Sequence, residues 1–165
     1  MMKMSEKEIE ESDLIIRNYR TSDYPATLEI LTELNKKYDI GFTEKKWKES
    51  SGLRQFKVNL KRITLVAELK STGEIVSMGV IEAKKDSIGN YIGYMDNFAT
   101  KEQYIGKHVG RFLAERAIQV LESWGCESVR INLGYNVSNK LINVFGKIGF
   151  NPLLIVLEKK FKKET

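Results

Sequence analysis

The stretch QYIGKHVGRFLAERA, residues 103–117, has the residue types and spacing most suggestive of chemistry in this chain. Gly106 and Gly110 lie close together, and an amphipathic pattern typical of a helix begins directly after them. The preceding residues, 91–100, have the pattern of a strand. Because a helix that starts this way leaves its first N–H groups without partners, the junction favours an anion. The sequence predicts an anion site here, with a tight turn that merely permits close packing as the alternative.

Two common phosphate motifs are excluded at this junction. The segment GKHVGRF lacks the Lys-Ser/Thr pair of a Walker A loop. The dinucleotide fingerprint requires three glycines after the first strand of a doubly wound sheet, and neither condition holds. His108, the only histidine of the chain, lies between the two glycines. A solvent-facing and a catalytic His108 are both open interpretations.

The elements around this junction predict a mixed α/β fold. Short turns join the three middle strands, which should therefore pair antiparallel. A long helix separates the strands at 91–100 and 128–134, which should therefore run parallel through a right-handed crossover. We expect a mixed α/β (α+β) fold whose antiparallel and parallel sheet of about six strands is flanked by helices. The strands are predicted at 14–19, 62–69, 74–83, 91–100, 128–134 and 153–161, and the main helices at about 24–38, 107–124 and 138–149.

Composition restricts the class of protein. With 165 residues, 42% of them hydrophobic and 30% charged, the chain fits one globular domain spanning 1–165. The single cysteine, Cys126, excludes an intramolecular disulfide and fits a reducing compartment. The charged start of the chain and the short longest apolar run predict neither a signal peptide nor a membrane span. We expect a cytoplasmic protein, and the scattered lysines behind the net charge of +5 predict no nucleic-acid face.

At this point the sequence resembles a known family. FATKEQYIGKHVGRFL resembles the acetyl-CoA loop of the GNAT N-acetyltransferases, whose pattern is Gln/Arg-x-x-Gly-x-Gly/Ala. Gln103 and Gly106 match it, and Gly110 is a further glycine common in the family. SNKLINVFGKIGF resembles the family's second signature, Asn-x-x-Ala followed by Tyr and Gly-Phe. The resemblance covers roughly residues 13–161.

The resemblance implies a binding site for acetyl-CoA (coenzyme A) as cosubstrate, without a metal. Backbone amides from Ile105 to Gly110 would hold the pyrophosphate, and Phe98 and Thr100 would bind the pantetheine arm. The thioester would lie where the strands at 91–100 and 128–134 separate, and the amine would enter from beneath the N-terminal helices. The residues implied in cofactor binding are Phe98, Ala99, Thr100, Ile105, Gly106, Lys107, His108, Val109, Gly110, Arg111, Ser138, Asn139 and Phe145.

Two further residues are catalytic candidates on the same resemblance. Asp96 lies in the strand before the loop, where many members carry an active-site acid, although a structural role is equally open. Tyr135, at the end of a strand, could protonate the leaving thiolate or be structural. Two residues depart from the family pattern: His108 replaces a Gly or Ala, and Phe145 replaces the usual Tyr.

The resemblance implies an enzyme that transfers an acetyl group from acetyl-CoA to a primary amine of a small molecule or peptide, by direct attack in a ternary complex. The alternative is a catalytically silent GNAT domain that binds acyl-CoA or a partner, which His108 and Phe145 favour. A third interpretation is a basic domain that binds nucleic acid. We expect no nucleic-acid or membrane partner, and a homodimer is left open.

Overall fold

The computed structural model describes residues 8–50, 61–134 and 138–162. The chain divides into two compact units, Met1–Asn132 and Leu133–Thr165, called here the first unit and the second unit. A single domain spanning 1–165 stays a prediction. Among the described residues, no helix combines the length and apolar character that crossing a membrane requires.

The first unit is built on a five-stranded mixed sheet with the strand order β1-β2-β3-β4-β5. The first four strands pair antiparallel in sequence, and β4 pairs parallel with β5. This arrangement confirms the predicted antiparallel centre and the parallel pair that flanks the long helix. The strands are β1 Leu14–Asn18, β2 Arg62–Leu69, β3 Ile75–Lys85, β4 Tyr91–Thr100 and β5 Ser128–Ile131.

Helices cover both faces of this sheet. Side chains of consecutive strand residues point to opposite faces, so Val66 packs against α1 (Tyr24–Tyr38) and α2 (Glu44–Glu49), whereas Ala67 lies on the face of α3 (Val109–Ser123). The core on the α1 face contains Tyr19, Ile30, Leu31, Trp47, Val66, Ile75, Met78 and Ala99. A cluster on the other face contains Ala67, Val76 and Val109.

Gly93 sets how closely α3 approaches the sheet. A Cβ atom placed on Gly93 would lie only 2.9 Å from Cδ1 of Leu121, which is fully buried on α3. Only the absence of a side chain on β4 lets the helix pack at this distance. The helix is therefore held close to the strand that leads into its own N-terminal loop.

The second unit contains α4, Ser138–Gly146, in agreement with the predicted short helix. The strand predicted at 153–161 was wrong, because described residues 151–162 form no strand. The side chains of Leu153, Ile155 and Leu157 are 67%, 88% and 92% exposed. An apolar, β-branched run indicates strand propensity, but a strand forms only where a neighbouring strand pairs with it. The described part of the sheet consequently has five strands rather than six.

Candidate active site

A β-bulge interrupts β4 next to the candidate acid. Val80 pairs with Asp96 and Met78 pairs with Ala99, so two β4 residues, Asn97 and Phe98, face the single Gly79. Asn97 adopts a φ of +54°, in the left-handed region that Asn tolerates better than most residues. A bulge of this kind breaks the regular ladder and bends the strand.

Gly79 accommodates the bulge. The ring of Phe98 lies so close to it that a Cβ atom on Gly79 would come within 2.6 Å of two ring carbons. Any larger residue at position 79 would displace the ring. The phenyl group and the altered backbone of β4 are therefore fixed by the same contact.

From Asp96 onwards, just before the bulge, β4 has no registered partner on the β5 side. The registered pairs between β4 and β5 run only from Ile92–Ser128 to Met95–Ile131. Residues 96–100 of β4 have no registered partner on β5. Such a strand edge presents backbone donors and acceptors to an extended ligand.

The glycine-containing junction forms a tight loop that ends in α3. Gly106 has a φ of +82°, and His108, the residue before α3, has a φ of +67°. The side chain of His108 makes no capping hydrogen bond and is exposed. The first backbone N–H groups of a helix have no intrahelical acceptor, and the helix dipole favours an anion beside them. The predicted anion site thus has the expected strand–loop–helix geometry.

The start of α3 lies against the end of β4. A Cβ atom on Gly110 would lie 3.2 Å from Oγ1 of Thr100, whose hydroxyl is 3.0 Å from that of Ser77. A glycine at this position lets the first turn of the helix approach the strand edge. Two of the residues implied in cofactor binding, Thr100 and Gly110, are therefore adjacent.

The other candidates in this region fall into two groups. Ala99 and Val109 are buried in the core, so only their backbone could contact a ligand. Ile105 is 53% exposed, and Lys107 is half-buried. Arg111 donates from Nε to Oε1 of Glu115 at 3.0 Å along the exposed face of α3.

Glu74 anchors the loop, a role that the sequence analysis missed. Its Oε1 accepts from Nζ of Lys101 at 2.8 Å and from Nε2 of Gln103 at 3.3 Å, and its Oε2 accepts from the hydroxyl of Tyr104 at 2.6 Å. Burial opposes ionisation of Glu74, but the hydrogen bonds from Lys101 and Tyr104 lower the pKa of this carboxyl below its ordinary value. Gln103, matched above to the family pattern, thus contacts the loop anchor.

Asp96 lies in a row of side chains on the α1 face of the sheet. Thr64 pairs with Val80, and Val80 pairs with Asp96, so the three side chains share one face. Burial raises the pKa of the Asp96 carboxyl, Glu82 adds to this effect, and the cationic Arg62 acts against it. A carboxyl with a raised pKa is a better proton acceptor than an ordinary surface aspartate.

A cavity of about 280 Å³ adjoins this row on the α1 face of the first unit. Its walls come from the middle of α1, the segment before α2, α2 itself and strands β2 to β4. Asn97 of the bulge is one of the lining residues. The lining comprises Leu31, Ile40, Gly41, Phe42, Thr43, Lys46, Trp47, Ser50, Arg62, Thr64, Val80 and Asn97. The bulge therefore lies between this cavity and the open edge of β4.

The remaining candidates belong to the second unit or lie outside the described residues. Tyr135 is not among the described residues. Ser138, the first residue of α4, and the exposed Asn139 belong to the second unit, as does Phe145, whose ring packs edge-on against Phe150 with centroids 5.4 Å apart.

Two other kinds of chemistry have no support here. Burial raises the pKa of the Cys126 thiol, which disfavours the reactive thiolate. No group of His, Cys, Asp and Glu residues with metal-binding geometry occurs in the parts of the chain that the structure describes.

The sequence profile described as "Acetyltransferase (GNAT) family" matches residues 27–150. The chain belongs to the GNAT acetyltransferase family. It is therefore an acyltransferase by family, as the resemblance implied. A sequence search of curated proteins finds no match.

Solved structures share the GNAT fold with this chain. Glucosamine-6-phosphate N-acetyltransferase from Arabidopsis thaliana aligns with a TM-score of 0.67 at 19% identity, over 90% of this chain and 99% of that one. A transcriptional regulator from Bacillus halodurans C-125 aligns with a TM-score of 0.74 at 18% identity, over 90% of this chain and 99% of that one. An aminoglycoside acetyltransferase from an uncultured soil metagenomic sample, in complex with sisomicin, aligns with a TM-score of 0.70 at 13% identity. The alignment covers 93% of this chain and 99% of that one.

We predict that Glu74→Gln removes a pH-dependent part of the stability of this GNAT domain. Because the pKa of Glu74 is lowered in the folded state, its contribution is present above the ordinary value of 4.5 and is lost as the pH falls through the folded pKa. Urea unfolding at pH 7 should show a variant less stable by about 1 kcal/mol. The deficit should shrink as the pH falls below 4.5 and through the lowered folded-state pKa of Glu74.

Glu68→Gln is a matched control, because Glu68 pairs with Arg17 at 3.0 Å and forms no hydrogen bond to the loop in the described part of the chain. Tyr104→Phe, which removes one of the three bonds, should lose part of the stability at pH 7. A Glu74→Gln deficit of equal size at every pH would contradict the role of the ionised carboxylate.

Proposed function

We propose that this GNAT protein transfers the acetyl group of acetyl-CoA to a primary amine by direct attack in a ternary complex. The observation that carries the proposal is the position of the β4 bulge. On one side of it lies the part of the β4 edge that is unpaired with β5, and on the other a cavity lined by Asn97 and Val80, the neighbours of Asp96. Two substrates could meet there only if they approach from these opposite sides.

The donor side has features that suit coenzyme A. An extended pantetheine arm could add to the edge of β4 at residues 96–100, with backbone hydrogen bonds at Phe98 and Thr100. The pyrophosphate would then lie at the N-terminus of α3, where the amides of Val109, Gly110 and Arg111 are the first of the helix. The close approach of Gly110 to Thr100 supports this arrangement, because it brings the start of α3 next to the end of β4.

The acceptor side would bring the amine to Asp96. The amine nitrogen attacks the thioester carbonyl carbon, the C–S bond breaks in the collapse of the tetrahedral intermediate, and coenzyme A leaves as a thiolate. Asp96, directly or through a water, takes the proton that the ammonium must lose before attack. The backbone N–H near Phe98 would stabilise the oxyanion.

Protonation of the thiolate needs no strong acid. The pKa of a free thiol is about 8.5, so a thiolate is a tolerable leaving group at neutral pH. Phe145 has no proton to donate, and we assign the role to Tyr135 or to solvent. We keep Ser138 and Asn139 as proposed coenzyme contacts, on the strength of the family signature that they resemble.

We further propose one domain and a cytoplasmic location. The family match, residues 27–150, runs across the boundary between the two units. One cysteine in 165 residues suits a reducing compartment. These features support an enzyme that draws on the cytoplasmic acetyl-CoA pool.

We predict that acetyl-CoA raises the melting temperature by ligand linkage, and that Gly110→Glu abolishes the shift. The new side chain would crowd Thr100 and repel phosphate at the helix start. Gln119→Glu on the exposed face of the same helix adds the same charge and should keep the shift.

Thiol release with a panel of amines then tests catalysis. A parent protein without any shift at millimolar acetyl-CoA would contradict the proposal, and a shift without thiol release would identify a silent binding module.

We predict that Asp96→Asn lowers turnover about 10²-fold, within the range for positioned proton transfer, and leaves the acetyl-CoA shift unchanged. The carboxylate is the active form and its pKa is raised, so parent turnover should rise with pH through that pKa. The variant should lack this acidic limb in a pH–rate profile. Equal turnover of parent and variant across the profile would assign Asp96 a structural role.

A further inference from the structure

We infer that the acceptor is a small primary amine that also carries an anionic oxygen group, a carboxylate or a phosphate. The inference deepens the proposed function and rests on it. Of the residues that line the 280 Å³ cavity, Lys46 and Arg62 are cationic and none is acidic. The volume is near the lower end of ligand pockets, about 300–1,000 Å³, and suits a small molecule.

Thr64 supplies an unsatisfied donor at the cavity wall. The residue is completely buried, and its hydroxyl has no hydrogen-bond partner in the described part of the chain. A buried hydroxyl without a partner is costly, and most such groups in folded proteins are paired. Because Thr64 lines the cavity, an oxygen atom of a ligand could satisfy it.

Arg62 supplies a second set of donors. Its Nε is buried and has no partner among the described residues. Its Nη1 lies 3.5 Å from Oε2 of Glu82, longer than the roughly 2.7–2.9 Å of a charge-assisted hydrogen bond. Glu82 and Asp96 lower the positive potential at this guanidinium, but neither carboxylate accepts a hydrogen bond from Nε. A planar anion such as a carboxylate or phosphate matches the remaining donors.

Lys46 adds a cation from α2, which forms another part of the cavity wall. Its side chain is exposed and forms no ion pair with a described residue. A cationic group that enters the cavity would meet Lys46 and Arg62, and like charges disfavour it. An anionic group would be attracted by both. The charge of the lining therefore favours anionic amines over polyamines.

The strand register limits how far apart the two groups of the ligand lie. Thr64 and Asp96 occupy one row, two strands apart, which corresponds to roughly 10 Å at the backbone. Two hydrogen bonds of about 2.8 Å leave about 4–5 Å between the amine nitrogen and an anionic oxygen. Compact molecules of the amino-acid or amino-sugar-phosphate type meet this requirement.

The test compares amines that differ only in the anionic group. The pairs are lysine with lysinamide, for the carboxylate, and glucosamine 6-phosphate with glucosamine, for the phosphate; spermidine represents polycations. Binding is measured by calorimetry on the full chain, and thiol release gives kcat/KM. At least one anionic member should bind about tenfold or more tightly than its partner without the anionic group, the low end for a charge-assisted hydrogen bond. The pair with the larger ratio identifies the anion.

Variants connect this preference to the cavity. Thr64→Val removes the unsatisfied hydroxyl at constant shape, so it should keep or raise the melting temperature while the anionic preference falls several-fold. Arg62→Gln should reduce the preference about tenfold, with the acetyl-CoA shift retained. Lys45→Gln, on an exposed neighbour that does not line the cavity, removes one charge and should leave the preference unchanged.

The outcomes separate the inference from the proposed function. If acetyl-CoA binds and the amines without an anionic group, or spermidine, are used as well as or better than the anionic amines, the inference is overturned and the acetyltransferase proposal stands. Equal calorimetric affinity for both members of each pair also overturns it, whether or not thiol is released. An anionic preference that Thr64→Val and Arg62→Gln leave intact would contradict the assignment of these two residues.

Discussion

The candidate site depends on the bulge in β4. Two residues, Asn97 and Phe98, face Gly79 alone, and the ring of Phe98 occupies the space where a side chain at position 79 would lie. The bulge bends the strand at the point where its pairing with β5 has ended. The unpaired edge of β4 and the cavity therefore both adjoin the bulge.

Packing on both sides of the sheet keeps this arrangement in place. Gly93 lets α3 lie close to β4, and Gly110 brings the first turn of that helix against Thr100. Glu74, at the turn before β3, holds the loop through Lys101 and Tyr104. The helix N-terminus is consequently fixed relative to the open strand edge, which a ligand that contacts both would require.

Local patterns in the sequence predicted the elements of the site but not the contacts between them. Gly106 and Gly110 indicated the strand–loop–helix junction, because the signal lies within a few residues. The bond between Glu74 and Tyr104 joins positions 30 residues apart, and the row from Thr64 to Asp96 depends on the register of three strands. The apolar run at 153–161 has strand propensity, but propensity alone provides no partner, and the described segment forms no strand.

The central claim is that one ligand contacts both the open edge of β4 and the start of α3. The most direct measurement is the change in backbone amide chemical shifts when the ¹⁵N-labelled chain is titrated with coenzyme A. The account predicts that the largest changes fall at residues 97–100 and 105–111, in one saturable process. Coenzyme A that leaves these amides unchanged, or that shifts only amides elsewhere in the chain, would contradict it.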